Sequence, residues 1–196
     1  MARRGSYAKG VARRQEILES ALEVIGRDGY QNASLKQIAE RVGVTPAALL
    51  HYFGSKEELF TAVLRTRDAH DESDARMLDP ISARAAFLDV IRHNAEVPGV
   101  VELFSRLAVD AADPDHPAHD YFLERSERLR ASIAETFDHG GAARAALDPD
   151  TLARVVQAVS DGLQLQWMVD PTVDMPGIIE ALLDALAPAS ASDTRP

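Results

Sequence analysis

The residues of this 196-residue chain with the most definite chemical purpose lie between positions 34 and 58. Ser34-Leu-Lys-Gln37 and Ser55-Lys-Glu-Glu58 each set a serine three residues ahead of a glutamine or glutamate. In such a pair the serine oxygen accepts from a free amide one turn into a helix while the longer side chain reaches back, so each marks a helix start. Between them, Thr45-Pro46 is a third start, with threonine as the cap and proline at the first helical position, where its missing N–H costs nothing. The start of a helix presents free backbone amides and the positive end of the dipole, which together hold a phosphate. Ser34, Lys36 and Thr45 are therefore candidate contacts to a phosphate backbone, and Pro46, Ala47 and Ala48 would face whatever that backbone encloses.

Other chemistry has little support. The chain contains no cysteine, which excludes disulfides, thiolate metal sites and a cysteine nucleophile. There is no glycine-rich phosphate loop, no paired-histidine metal motif on one helix and no nucleophile elbow, so the chain reads as a non-enzyme without a cofactor. His116 and His119 stand near Asp113, Asp115 and Asp120 in a pattern that could be drawn as a metal site, but Asp-Pro-Asp-His-Pro is equally an acid-rich helix start, and no metal is assigned. His93 is a possible polar group in a ligand pocket.

These residues need helices to position them, and the periodicity supplies little else. Ile17, Leu18, Ala21, Leu22 and Ile25 recur at three- and four-residue steps, and no stretch shows sustained alternation. The fold class is all-α. The first helix is expected over residues 11–27 and ends at Asp28-Gly29; the second covers 35–41 and the third 46–52, with Gly43 in the tight turn between them. Two capped helices around a glycine turn form a helix-turn-helix. Ile38, Ala39 and Val42 should pack against Leu49 and Phe53 as its core. Gly54 stops the third helix and a fourth runs from 55 to 67 or on to 74. Further helices are expected over 79–94, 98–112, 117–138 (broken by Gly140-Gly141), 149–169 and 174–187, with a disordered tail over 188–196. The resulting division is a DNA-binding domain over 1–54 and a larger helical domain over 55–187.

A formal net charge of -10 argues against a polyanionic partner until its distribution is seen. Residues 1–60 carry nine Lys or Arg against seven Asp or Glu, and residues 61–196 carry 12 against 24. Arg3, Arg4, Lys9, Arg13 and Arg14 precede the first acid, which reads either as a basic arm that reaches along DNA or as a solvated tail. No apolar run approaches the roughly 20 residues of a membrane helix, and the N-terminus lacks the apolar core of a signal peptide, so no membrane contact and a cytoplasmic location are expected.

Residues 25–60 closely resemble the DNA-binding region of the TetR family of regulators. The resemblance rests on Gly29-Tyr30, Ile38-Ala39, Gly43-Val44-Thr45, Leu49, Tyr52-Phe53 and Ser55-Lys56-Glu57-Glu58-Leu59. It implies a homodimer that binds double-stranded operator DNA, a palindrome, with the third helix in the major groove. It further implies phosphate contacts from His51 and Tyr52 at the far end of that helix and from Lys56 on the next capped turn. His51 could instead be an ordinary exposed residue, and the Tyr52 ring could pack partly into the core. Leu50 departs from the family pattern, where tyrosine is common.

The larger domain resembles the family more faintly, through Asp115-His116-Pro117 with His119 and Arg125, and through residues 161–167. The resemblance implies that the last two helices pair across a twofold axis as a four-helix bundle. Leu152, Val155, Val156, Val159, Leu163, Ile178, Ile179, Leu182, Leu183 and Leu186 cover more of the helix circumference than one core face needs, although an internal core would use them too. Candidates to line a small-molecule effector site are Phe87, Ile91, Phe104, Leu107, Phe122, Gln164 and Trp167, each of which could also be plain core. The expected function is repression released by an effector, which shifts the separation of the two DNA-binding heads through the fourth helix. The alternative is a DNA-binding dimer whose second domain docks a protein and has no effector.

Overall fold

The computed structural model describes the backbone of residues 2–75, 80–139 and 147–186, and the side chains of 9–70, 84–133 and 147–186. Among the described residues there are nine α-helices and no strand: α1 (Ala2–Asp28), α2 (Leu35–Val42), α3 (Pro46–Phe53), α4 (Lys56–Ala75), α5 (Pro80–Glu96), α6 (Pro98–Asp110), α7 (His119–His139), α8 (Pro149–Val169) and α9 (Met175–Leu186). The all-α expectation is met. The tail expected over 188–196 and the break expected at Gly140-Gly141 lie outside the described residues.

Local chemistry accounts for the helix starts. The Gln37 amide donates to Ser34 Oγ at 3.2 Å and Gln37 Oε1 accepts from the Ser34 amide at 3.0 Å, closing the box that starts α2. The Glu58 amide donates to Ser55 Oγ at 3.0 Å, and Glu58 Oε2 accepts from the Ser55 amide at 3.2 Å. Thr45 Oγ1 takes the Ala48 amide at 3.1 Å, and Asp148 and Asp174 cap α8 and α9 in the same manner through Thr151 and Gly177. Gly43 turns the chain between α2 and α3 with φ of 68°, a left-handed conformation that a side chain would strain.

The one large departure is at the N-terminus, where α1 begins at Ala2 instead of near residue 11, so the basic segment is helical. The buried run Ile17, Leu18, Ala21, Val24 and Ile25 supplies the nucleus, after which each added residue contributes a hydrogen bond at little further cost. No proline interrupts the Ala-, Arg- and Lys-containing stretch ahead of it. Elsewhere α6 stops at Asp110 and residues 111–118 form successive turns, so α7 starts two residues later than expected.

The contacts divide the chain into two units. The first comprises Met1–His70 and Val97–Tyr121, so α6 packs with the N-terminal helices. It can do so because Gly99 lies on the end of α1, where an added Cβ would stand 2.0 Å from the Ile25 carbonyl oxygen. Around that contact Gln31 Nε2 donates to Glu102 Oε1 at 2.9 Å, and Arg106, paired with Glu102, lies over the Tyr30 ring at 5.8 Å. Tyr121 is fully buried and donates its hydroxyl to Asp68 Oδ2 at 2.7 Å, with the Arg65 guanidinium 5.1 Å above its ring.

The second unit comprises Asp71–Glu96 and Phe122–Pro196. α9 packs against both α8 and α5. Leu152, Ala153, Val156, Met175, Ile179 and Leu183 are buried there, and Arg84 pairs with Asp184 at 2.5 Å. α7 and α8 meet through polar groups: Ser126 Oγ donates to Gln157 Oε1 at 3.0 Å, and Arg130 approaches Asp150 at 3.5 Å.

Candidate nucleic-acid interface and effector residues

Ile38, Ala39, Val42, Leu49 and Phe53 are all buried, so α2 and α3 pack through the residues expected. Two arginines of α1 brace this pair: Arg13 donates to the Val42 carbonyl, and the Arg14 guanidinium lies 4.6 Å from the Phe53 ring centroid. With its apolar side fixed, α3 turns Pro46, Ala47, Leu50, His51 and Tyr52 outward, and Ala48 is half-buried.

All nine candidate DNA contacts fall in the first unit. Ser34 is exposed, but both its hydroxyl functions are engaged with Gln37, so its own hydrogen is already donated within the capping box. Lys36 is exposed, with only a 3.8 Å approach to Glu40. Thr45 spends its oxygen on the Ala48 amide, which leaves the amides of Ala47 and of the helix start around it for an anion. His51 and Tyr52 are exposed, with ring centroids 6.4 Å apart, edge to face. Lys56 is half-buried, its ammonium 5.5 Å from the Tyr30 ring centroid and 5.1 Å from that of Phe60. Those rings, themselves 5.5 Å apart, fix the direction of a side chain that would otherwise sweep freely.

The seven candidate effector residues divide between the units. Phe87 and Ile91 on α5, Phe122 on α7, and Gln164 and Trp167 on α8 belong to the second. Phe104 and Leu107 belong to the first, where both are buried on α6. Ile91, Gln164 and Trp167 are buried; Phe87 and Phe122 are half-buried. Gln164 and, one turn earlier, Ser160 are the polar members of the buried row of α8.

One group of the 161–167 stretch was given no role of its own from the sequence. Asp161, one turn before Gln164, has its carboxyl pushed above the usual range by burial, against the opposing pull of Arg125 on α7 and a hydrogen bond with Gln157. An acid in the middle of a helix whose neighbours are mostly apolar is the signal that marks it. The histidines serve the backbone: His116 Nδ1 accepts from the Ala118 amide at 3.2 Å, and His119 Nδ1 lies 2.8 Å from the Ala111 carbonyl. His93 is exposed beside Glu96 on its own helix, which removes it from a pocket. Among the described residues no cluster of acids and histidines could hold a metal ion.

The apolar residues assigned to a second buried face separate cleanly. Leu152, Val156, Leu163, Ile179 and Leu183 are interior to this chain, Val155, Val159, Leu182 and Leu186 are half-buried, and Ile178 is exposed. Leu165, Met168 and Val169 at the end of α8 are exposed as well, Val169 by 87%. No described helix is long and apolar enough to cross a membrane.

Comparison with known proteins gives concordant results for the two segments. Residues 17–63 match the family described as bacterial regulatory proteins, tetR family, and residues 108–189 match the family described as BetI-type transcriptional repressor, C-terminal. The HTH-type transcriptional repressor AcnR of Corynebacterium efficiens is 31% identical over 160 residues, covering 79% of this chain and 81% of AcnR. Among solved structures, a transcriptional regulator from Saccharomonospora viridis in complex with choline has a TM-score of 0.65 at 22% identity, covering 87% of this chain and 95% of that one. Thermus thermophilus FadR, a TetR-family repressor in complex with lauroyl-CoA, has a TM-score of 0.63 at 19% identity, covering 87% and 91%. At these identities the structural likenesses concern the fold.

Proposed function

The chain belongs to the TetR family of DNA-binding transcriptional regulators, and on that premise we propose that it is a homodimeric repressor released from a palindromic operator by a small-molecule effector. The observation that carries the reading is the two-sidedness of α3: Leu49 and Phe53 hold it to α1 and α2 while Pro46, Ala47, Leu50, His51 and Tyr52 face outward behind a capped, amide-bearing start. Thr45 and its neighbours would hold one phosphate, with Lys36 and the free amides of the helix start that Ser34 caps holding a second, and His51, Tyr52 and Lys56 beyond α3 holding others. Pro46, Ala47 and Ala48 would meet the base edges. In this division of labour residues 1–54 grip DNA and residues 55–187 dimerise and sense.

A second copy of the chain is the partner that suits the exposed Leu165, Met168, Val169 and Ile178 on α8 and α9. The effector would be held by the second unit, where Gln164, Trp167 and Ile91 are buried with Asp161 close by on α8; the neighbours solved with choline and lauroyl-CoA are the precedents for a ligand in this fold. Selection from random-sequence DNA at fixed salt should return a palindrome. Compounds that then raise the melting temperature of the protein should lower its operator affinity. A compound that binds but leaves operator affinity unchanged refutes release by effector, and a failed selection refutes the operator reading.

A further inference from the structure

The outward face of α3 is unusual for a surface that meets a polyelectrolyte. Pro46 and Leu50, and Ala47 and His51, are one turn apart and so share that face, and all four are exposed. None of them has the Arg, Lys, Asn or Gln head group that reads guanine or adenine by paired hydrogen bonds. Leu50 is 38% exposed, whereas its neighbour Leu49 is wholly buried, so part of its aliphatic surface faces outward with the rest of this face.

We propose that Leu50 is a specificity-determining residue that reads the 5-methyl group of thymine in the major groove, with Ala47 one turn ahead of it closing on the same or the adjoining base. The inference rests on the operator reading above and adds the chemistry of base choice. Its occupant is fixed by continuity with that interface: the major-groove edge of a base pair offers one apolar group, the thymine methyl, and an aliphatic side chain gains only from burying it. His51, Tyr52 and the amides at Thr45 flank Leu50 on both sides, so phosphate contacts there would fix how deeply α3 enters and bring a branched four-carbon side chain to the base edge. Specificity of this kind does not require a charged residue on the face.

The experiment begins with an operator selected from random-sequence DNA. Each thymine of a half-site is replaced by deoxyuridine, which removes only the methyl group, and affinity is read by fluorescence anisotropy at fixed salt. Burial of one methyl predicts a loss of roughly fourfold at the contacted position and about fifteenfold when both half-sites are changed. Leu50→Ala should weaken binding to the thymine operator by a similar factor and abolish the deoxyuridine penalty at that position while keeping it elsewhere. The proposal is overturned if deoxyuridine is tolerated within about twofold at every position. It is equally overturned if the penalty persists unchanged in Leu50→Ala, since another side chain would then be the reader. If no DNA is selected at all, the operator reading falls first and takes this one with it.

Discussion

Replacing Gly99 with alanine tests whether α6 really lies on the end of α1. The new Cβ would stand 2.0 Å from the Ile25 carbonyl oxygen, 2.9 Å from the Gly29 Cα and 3.0 Å from the Ile25 carbonyl carbon. A carbon and an oxygen come no closer than roughly 3.3 Å even in a favourable C–H···O contact, so the helices must part by about 1 Å. All three obstructing atoms are backbone, and no rotamer change can relieve them. Such overpacking costs about 1–3 kcal/mol, offset by up to about 1 kcal/mol for the better helix propensity of alanine. The separation also loosens Gln31–Glu102 and the stacking of Arg106 on Tyr30, which depend on α6 staying in place. A net loss of about 1–2 kcal/mol lowers the melting temperature by about 2–8 °C for a chain of this size. Gly26→Ala is the matched control, because it makes the same chemical change in α1 with no atom within 4 Å of the added carbon. It should raise the melting temperature slightly, by the ~0.5–1 kcal/mol that alanine gains over glycine in a helix. Circular dichroism melts of both variants at one protein concentration decide the matter. If Gly99→Ala melts at or above the unsubstituted chain, the close approach of α6 to α1 is wrong.

Three other substitutions follow from the same geometry. Tyr121→Phe removes the hydroxyl that meets Asp68 at 2.7 Å, and urea denaturation should register a loss of about 1.5–3 kcal/mol, as for a hydrogen bond to a charged group; a change under about 0.5 kcal/mol would deny the bond any weight. Because the proposed dimer carries two copies of the residue, Lys56→Gln should lower the slope of log affinity against log salt by about two while weakening all operators alike, and an unchanged slope would remove Lys56 from the phosphate contacts. For Asp161, burial holds the folded pKa above the ordinary 3.8, so its contribution is fully present below that value and is lost as pH rises through the raised one. The melting temperature of Asp161→Asn relative to the unsubstituted chain should therefore be more favourable near about pH 7.5 than near about pH 4.5, and a difference independent of pH would contradict the shift.

What could be read in the sequence was local. Ser34 with Gln37, Thr45 with Pro46 and Ser55 with Glu58 fix the starts of α2, α3 and α4 because each cap satisfies amides within a few residues of itself. The α2–α3 core followed for the same reason. The helical N-terminus was harder, since Gly5, Gly10 and a run of basic residues resemble an arm, and only the nucleus packed at Ile17 and beyond makes extension favourable. Gly99 after Pro98 looked like a helix start and nothing more, because its function depends on a carbonyl 74 positions earlier in the chain. Asp161 was passed over on similar grounds: its partners Arg125 and Gln157 lie on α7 and on the preceding turn of α8, and burial is a property of the packed unit. Among the candidate effector residues, Phe104 and Leu107 share hydrophobicity with all the others but Gln164, yet α6 carries them into the packing of the first unit.

The chain that builds the first unit leaves it at His70 and returns at Val97, and this has a consequence for biosynthesis. Gln31 waits for a partner 71 residues downstream, and the end of α1 is not covered until Gly99 has been made. At roughly 5–20 residues per second, the stretch from His70 to Tyr121 takes about 3–10 s to synthesise. For that interval a nascent chain already holding α1, α2 and α3 exposes the ground on which α6 will settle, a window in which a chaperone, or a neighbouring nascent chain on the same message, can reach it first. A fragment that stops at His70 would remain in that state permanently.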